Sequence, residues 1–254
     1  MTGEVRVARE GALAWVTLSH PGKLNAMSRA MWRELRQVFT ALPQDAGLRG
    51  VVLRGEGGHF CAGGDISEYP SFRFAPESLR EFHEDEVWAG LQAVLDCDVP
   101  VVAQIEGACM GAGVEISACC DIRIAGESSR FGAPIAKLGF PMAPREAALV
   151  AAAVGNATAR EMLLEAAVFD AAEMKLRGFL NRLRPDAAVA AEAEATAHRI
   201  AALAPQAARM NKQTFRALAT AAAVPPDAYA YASSAEHREG ITAFLHKRKP
   251  AFTS

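Results

Sequence analysis

Between residues 99 and 126 the chain runs VPVVAQIEGACMGAGVEISACCDIRIAG: two apolar strand-type runs joined by glycine, alanine, cysteine and short aliphatics. Short apolar runs bounded by glycine read as buried strands, and residues without bulk let one backbone approach another closely. The stretch therefore predicts a β-α-β unit with its corner packed inside the molecule. Within the small-residue joint, residues 107–120, one carboxylate stands, Glu115. Ionised carboxylates are among the groups least often buried without a partner, so its position needs a chemical reason.

The rest of the chain supplies more turns of the same kind. EVRVARE and ALAWVTLS are β-rich runs with Gly11 at the turn between them, and HPGKLNAM follows as a loop. Ser28 is placed to cap a helix whose apolar stripe is Met31, Leu35, Val38, Phe39 and Leu42. GVVLRG is a short strand ending in the glycine-rich GEGGHFCAGGDISE, and a longer helix is expected from Pro76 with Leu79, Phe82, Val87, Leu91, Val94 and Leu95 on one side. From Pro144 the chain turns helical and alanine-rich. DAAEMKLRG carries a capping-box pattern (Asp170, Glu173) and stops at Gly178. FLNRLR reads as a last strand, and residues 185–250 as three or four helices. The expectation is an α/β fold of stacked sheet-and-helix turns, with a core over residues 1–185 and a helical region over 186–254.

Composition excludes several function classes. Hydrophobic residues make up 51% and charged residues 22% of the 254, which is a globular balance. A net charge of −2 argues against a nucleic-acid protein, which would carry a clustered basic excess. The one basic cluster, HKRKP at 246–250, reads either as a solvated helix end or as a binding patch. No window reaches 18 uninterrupted apolar residues, and MTGEVRVARE lacks the pattern of a secretory leader, so a cytoplasmic protein is expected. The five cysteines form no C-x-x-C pair and are expected as free buried thiols.

The glycines do not make a nucleotide loop. A phosphate-binding loop needs Lys-Ser/Thr after its last glycine, where Val114 and Glu115 stand, and the order G-x-G-x-x-G is absent. A strand that feeds directly into a helix does present free backbone N–H groups. Two such corners occur, CAGGD at 61–65 and GAGVE at 111–115. Converging donors of that kind form an oxyanion hole, each typically worth about 2.7–4 kcal/mol of transition-state stabilisation. On spacing alone, two plain tight turns are the commoner reading of such corners.

GKLNAM, HFCAGGDISE, GACMGAGVEISACCDIRIAGESSRFGAP and EGITAFLHKRKPAF occur in that order, and together they resemble the crotonase superfamily, the enoyl-CoA hydratase/isomerase family. The resemblance spans nearly the whole chain. It implies a spiral of β-β-α turns with a C-terminal helical trimerisation region, assembled as a trimer or a dimer of trimers. It also implies an acyl-CoA thioester substrate, an enolate-like intermediate and no metal or redox cofactor. The oxyanion donors resemble Gly64 and Ala112, and Glu115 matches the first of the two glutamates hydratases use. Lys23, Leu24, Ala26, Ala62, Asp65 and Ile66 match positions around the coenzyme. Phe244 and Lys247 resemble C-terminal residues that reach it, sometimes from a neighbouring subunit. A carboxyl group in a largely apolar pocket has its charged form disfavoured, which suits Glu115 to proton transfer.

The chain departs from the family at one decisive place. The second hydratase glutamate falls at Ile135, and the aspartate that some isomerases and dehalogenases carry eight residues later falls at Ala143. Three readings follow. Glu115 acts alone, as a hydratase on a special substrate or as an isomerase, since one base suffices for a 1,3-proton shift. Alternatively a replacement comes from Glu68, Tyr69, His83, Glu84 or Glu86, each of which also reads as a solvated face. Or the chain binds acyl-CoA with little turnover. The acyl group itself cannot be read, although Phe72 and Phe74 hint at an apolar or aromatic tail.

Overall fold

β1 (Glu4–Glu10) and β2 (Leu13–Ser19) form an antiparallel hairpin through Gly11, in register Val7 to Val16. Next to β2 lie β3 (Gly50–Gly55), β4 (Val101–Ile105), β6 (Ile122–Gly126) and β9 (Arg182–Arg184), all parallel, giving the order β1-β2-β3-β4-β6-β9. This computed structural model describes residues 2–219 and 228–252. β3 and β4 are buried on both faces, as parallel strands covered by helices on either side must be.

A smaller sheet holds β5 (Ala108–Met110), β7 (Arg130–Gly132) and β8 (Val168–Asp170), in the order β5-β7-β8. Two isolated parallel bridges extend it, Cys61 to Cys109 and Met27 to Gly64. Each turn of the chain thus gives one strand to the large sheet and a second, shorter extended piece to the small one. The result is the expected spiral of β-β-α turns, and it stacks the corner at 61–65 directly on the corner at 111–115.

Side-chain alternation separates two cores. Val51, Leu53 and Val101 point toward α1 (Arg29–Ala41), α3 (Trp88–Asp96) and α4 (Ala112–Ala118), in the main cluster with Trp32, Leu35, Leu91 and Ile116. Leu13, Val52, Val102 and Ile124 point the other way, onto α8 (Val189–Ala201). The Ser28 hydroxyl accepts a hydrogen bond from the Met31 N–H, which makes it the expected cap of α1. Leu42 falls outside that helix, in a 3₁₀ turn over Leu42–Gln44, because Pro43 ends the α-helical bonding.

The helix expected from Pro76 is broken. α2 (Pro76–Glu81) passes into a π-helical turn over Phe82–Val87 and then into α3. Glu86, buried within the turn, bonds Arg29 at 2.6 Å and Arg33 at 3.0 Å, both on α1. Further along come α5 (Pro144–Val154), α6 (Asn156–Arg160) and α7 (Ala171–Leu176), the last capped by Asp170 as its motif required. α9 (Pro205–Ala219) and α10 (Ala235–Leu245) complete the described helices. α9 is held by Lys212, whose ammonium donates to the Val99 carbonyl at 3.1 Å and pairs with Asp121 at 2.8 Å. Among the described residues no helix is long and apolar enough to cross a membrane. All five cysteines are free and buried.

Candidate active site

Backbone geometry comes first at the two corners. At 61–65 the N–H of Cys61 donates to Ala108, that of Ala62 to Leu24 and that of Asp65 to Met27. At the second corner the N–H of Gly111 donates to Gly132 and that of Glu115 to Gly111. The N–H groups of Gly64 and Ala112 have no acceptor among the described residues. Ala112 is the first residue of α4, where an N–H lacks an intrahelical partner by construction. Two backbone conformations that favour glycine set the corners, Gly63 at φ 117° and Gly111 at φ 48°. A Cβ on Gly111 would lie 3.6 Å from the Gly63 Cα, an ordinary contact distance, so the two corners are direct neighbours.

Both free donors belong to the wall of a cavity of about 370 Å³, which Ala62, Ile66 and Glu115 also line. Glu115 sits on the first turn of α4 and is only 6% exposed. Burial pushes its carboxyl well above the ordinary glutamate range, and the charge of Glu146 pushes the same way. The remaining wall is mostly apolar, from Trp32, Phe82, Phe140, Met110, Met142 and Ile135. Tyr69 lies so close to Gly64 that a Cβ there would overlap its hydroxyl. Burial raises that phenol above its ordinary value, and Arg73 partly opposes the shift. The Arg73 guanidinium stacks 3.9 Å from the centre of the Phe140 ring and 4.4 Å from that of Tyr69.

The residues expected around the coenzyme fall into two groups. Lys23 pairs with Asp65 at 2.6 Å and donates to the Ser67 hydroxyl at 2.8 Å. Burial works against the Asp65 charge, but the bonds from Lys23 and Ser67 hold its carboxyl below the ordinary value. Leu24 is 48% exposed with φ 47°, and its carbonyl accepts from Ala62. Ala26 is buried one residue before the Met27 bridge. These residues border the first corner from outside the cavity wall. Phe244 and Lys247 are not in that wall: Phe244, 83% exposed, lines a separate groove with Leu203, Ala207 and Phe252. Among the described residues no group of three His, Cys, Asp or Glu side chains is placed to hold a metal ion.

Of the five possible replacements for the second glutamate, three have structural work. Glu68 accepts from the Arg29 N–H at the start of α1, Glu86 binds Arg29 and Arg33, and Glu84 pairs with Arg145 at 3.2 Å. Only Tyr69 and His83 reach the cavity. The sequence reading missed Glu146, which is buried, lines the cavity and bonds His83 Nδ1 at 2.7 Å. Its one legible signal was position. It lies three residues after Ala143 on α5, one helical turn beyond the site of the family's other carboxylate.

Comparison with known proteins agrees with this architecture. The family model for enoyl-CoA hydratase/isomerase matches residues 8–254. The chain is 30% identical to a probable enoyl-CoA hydratase, echA8, of Mycobacterium bovis, over 98% of this chain and 97% of that one. It is also 30% identical to the 2,3-dehydroadipyl-CoA hydratase of Escherichia coli K12, over 98% of each. The crystal structure of an enoyl-CoA hydratase/carnithine racemase from Magnetospirillum magneticum superposes with a TM-score of 0.94 at 38% identity, covering 100% of this chain and 96% of that one. By its spiral fold and these matches, this chain has the crotonase fold and belongs to the enoyl-CoA hydratase/isomerase family.

Proposed function

We propose that this chain is an acyl-CoA enzyme acting on an enoyl-CoA thioester, by reversible hydration or by moving the double bond. The reaction passes through an enolate whose oxygen is held by the N–H groups of Gly64 and Ala112. Glu115 is the acid–base group beside it. The observation that supports this most is the meeting, in one mostly apolar cavity, of two unpartnered backbone donors and a buried carboxyl whose charged form is disfavoured. Donors fixed by the fold before substrate arrives stabilise developing charge without reorganisation. A carboxyl held toward its neutral form can both give and take a proton.

The coenzyme lies along Lys23, Leu24, Ala26, Ala62, Asp65 and Ile66, and the chemistry needs only proton transfer and charge stabilisation. Phe244 and Lys247 reach the coenzyme of a neighbouring copy in a trimer or dimer of trimers. Exposed apolar side chains on α9 and α10, among them Phe215, Leu218, Ile241 and Leu245, support that assembly. Glu115→Gln should still bind acyl-CoA and turn over at least ~100-fold more slowly, the lower end for a general acid–base group. If variant and wild type are equally feeble on every enoyl-CoA tried, the chain is a binder without turnover and this reading fails.

A further inference from the structure

We propose that His83, oriented by Glu146, is the second acid–base group of the cavity, taking the place of the family glutamate that Ile135 replaces. This rests on the function proposed above. His83 belongs to the π-helical turn Phe82–Val87 and Glu146 to the first turn of α5, two elements that nothing in the local sequence connects. Their side chains meet at 2.7 Å, half-buried and buried respectively, and both line the cavity that holds Glu115. A π-turn inside an α-helix re-aims side chains and is common at functional sites. Here it is clamped by Glu86 to Arg29 and Arg33, so the direction of His83 is fixed from α1.

The bond assigns roles. With Nδ1–H donating to the Glu146 carboxylate, Nε2 is the unprotonated nitrogen, and it has no partner among the described residues. An imidazole oriented in this way by a carboxylate is a general base, by the same logic that organises catalytic triads. Glu115, held toward its neutral form, is then the acid. In hydration, His83 Nε2 takes a proton from water as the water oxygen bonds to the substrate β-carbon. The electron pair of the double bond moves onto the thioester, and its oxygen becomes the anion held by Gly64 and Ala112. Glu115 then protonates the α-carbon, and the proton on His83 returns to Glu115 through solvent. Water is added and both groups are restored. Dehydration is the reverse.

The other charged or titratable groups in this cavity wall are Glu115 from α4, Tyr69 and Arg73 from the segment before α2, and Lys137 after β7. Arg145 and Glu84 form their own pair alongside. The test uses wild type, Glu115→Gln, His83→Gln and Glu146→Gln with 2-butenoyl-CoA and 3-phenylpropenoyl-CoA as probes. kcat/KM for hydration is followed against pH, and acetoacetyl-CoA binding reports an intact site. His83→Gln should bind normally, lose at least ~100-fold in kcat/KM and lose the acidic limb of the profile. Glu146→Gln, a positioning change, should lose about tenfold in kcat with KM and acetoacetyl-CoA binding unchanged. A purely structural pair would lower activity but leave the acidic limb in place in His83→Gln, and that result overturns the proposal. Full activity of His83→Gln beside an inactive Glu115→Gln overturns it while sparing the function. A wild type that hydrates neither probe overturns the hydration step given to His83, while the function, which also allows movement of the double bond, is decided by the Glu115→Gln comparison.

Discussion

Glu115 carries its carboxyl into an apolar wall on the first turn of α4, so its ionisation works against folding while serving the chemistry. Its midpoint is raised in the folded protein above the ordinary glutamate value of 4.5. The folded state therefore binds this proton more tightly than the unfolded chain does. The group's contribution to stability is whole below pH 4.5 and is lost as pH rises through the raised midpoint. Glu115→Gln removes the penalty together with the catalytic proton. The variant that abolishes turnover should thus melt higher than wild type, by a margin small at pH 5 and growing toward pH 8. A melting difference flat across that range would mean that Glu115 is not desolvated in the folded protein. Glu115 was legible in the sequence because a lone carboxylate among small residues is conspicuous. Glu146 was not, because its meaning lies in a contact with His83 across 63 residues, and no local pattern encodes which helix turn faces a cavity.

The strands of the large sheet, α1 and α7 were legible for local reasons: apolar runs bounded by glycine, and the caps Ser28 and Asp170 with their bonding partners in sequence; the three-residue strands β5, β7 and β8 were not, being too short to show a period. The break in the helix from Pro76 was not. Its apolar positions fit one continuous helix, and what holds the π-turn is Glu86 gripping two arginines of another element. This makes Glu86 a testable support. It is buried and bound by two guanidiniums that are part exposed, so Glu86→Gln should cost about 1–3 kcal/mol, read as a lower melting temperature. It should also lower activity, because His83 sits on the same turn. Glu84→Gln, which breaks only the exposed pair with Arg145, should stay within about 0.5 kcal/mol of wild type. Equal effects from the two would remove the special role given to the π-turn.

At the level of the molecule, the spiral converts separated sequence motifs into one site. Each turn lays a short extended piece on the one before, so corners 50 residues apart in sequence touch in space. The pattern of strands and corners was readable along the chain; the stacking that brings them together follows from parallel pairing and became firm through the family resemblance. Assembly is the matching prediction at this scale: a solution mass of three or six chains at micromolar concentration, against which a monomer would count. The central claim is tested most directly by a crystal structure of the complex with acetoacetyl-CoA. The thioester oxygen should accept from the N–H groups of both Gly64 and Ala112 at about 2.7–3.2 Å, with the Glu115 carboxyl beside the α-carbon. An oxygen more than about 3.5 Å from both donors, or a Glu115 carboxyl turned away into solvent, would contradict the account.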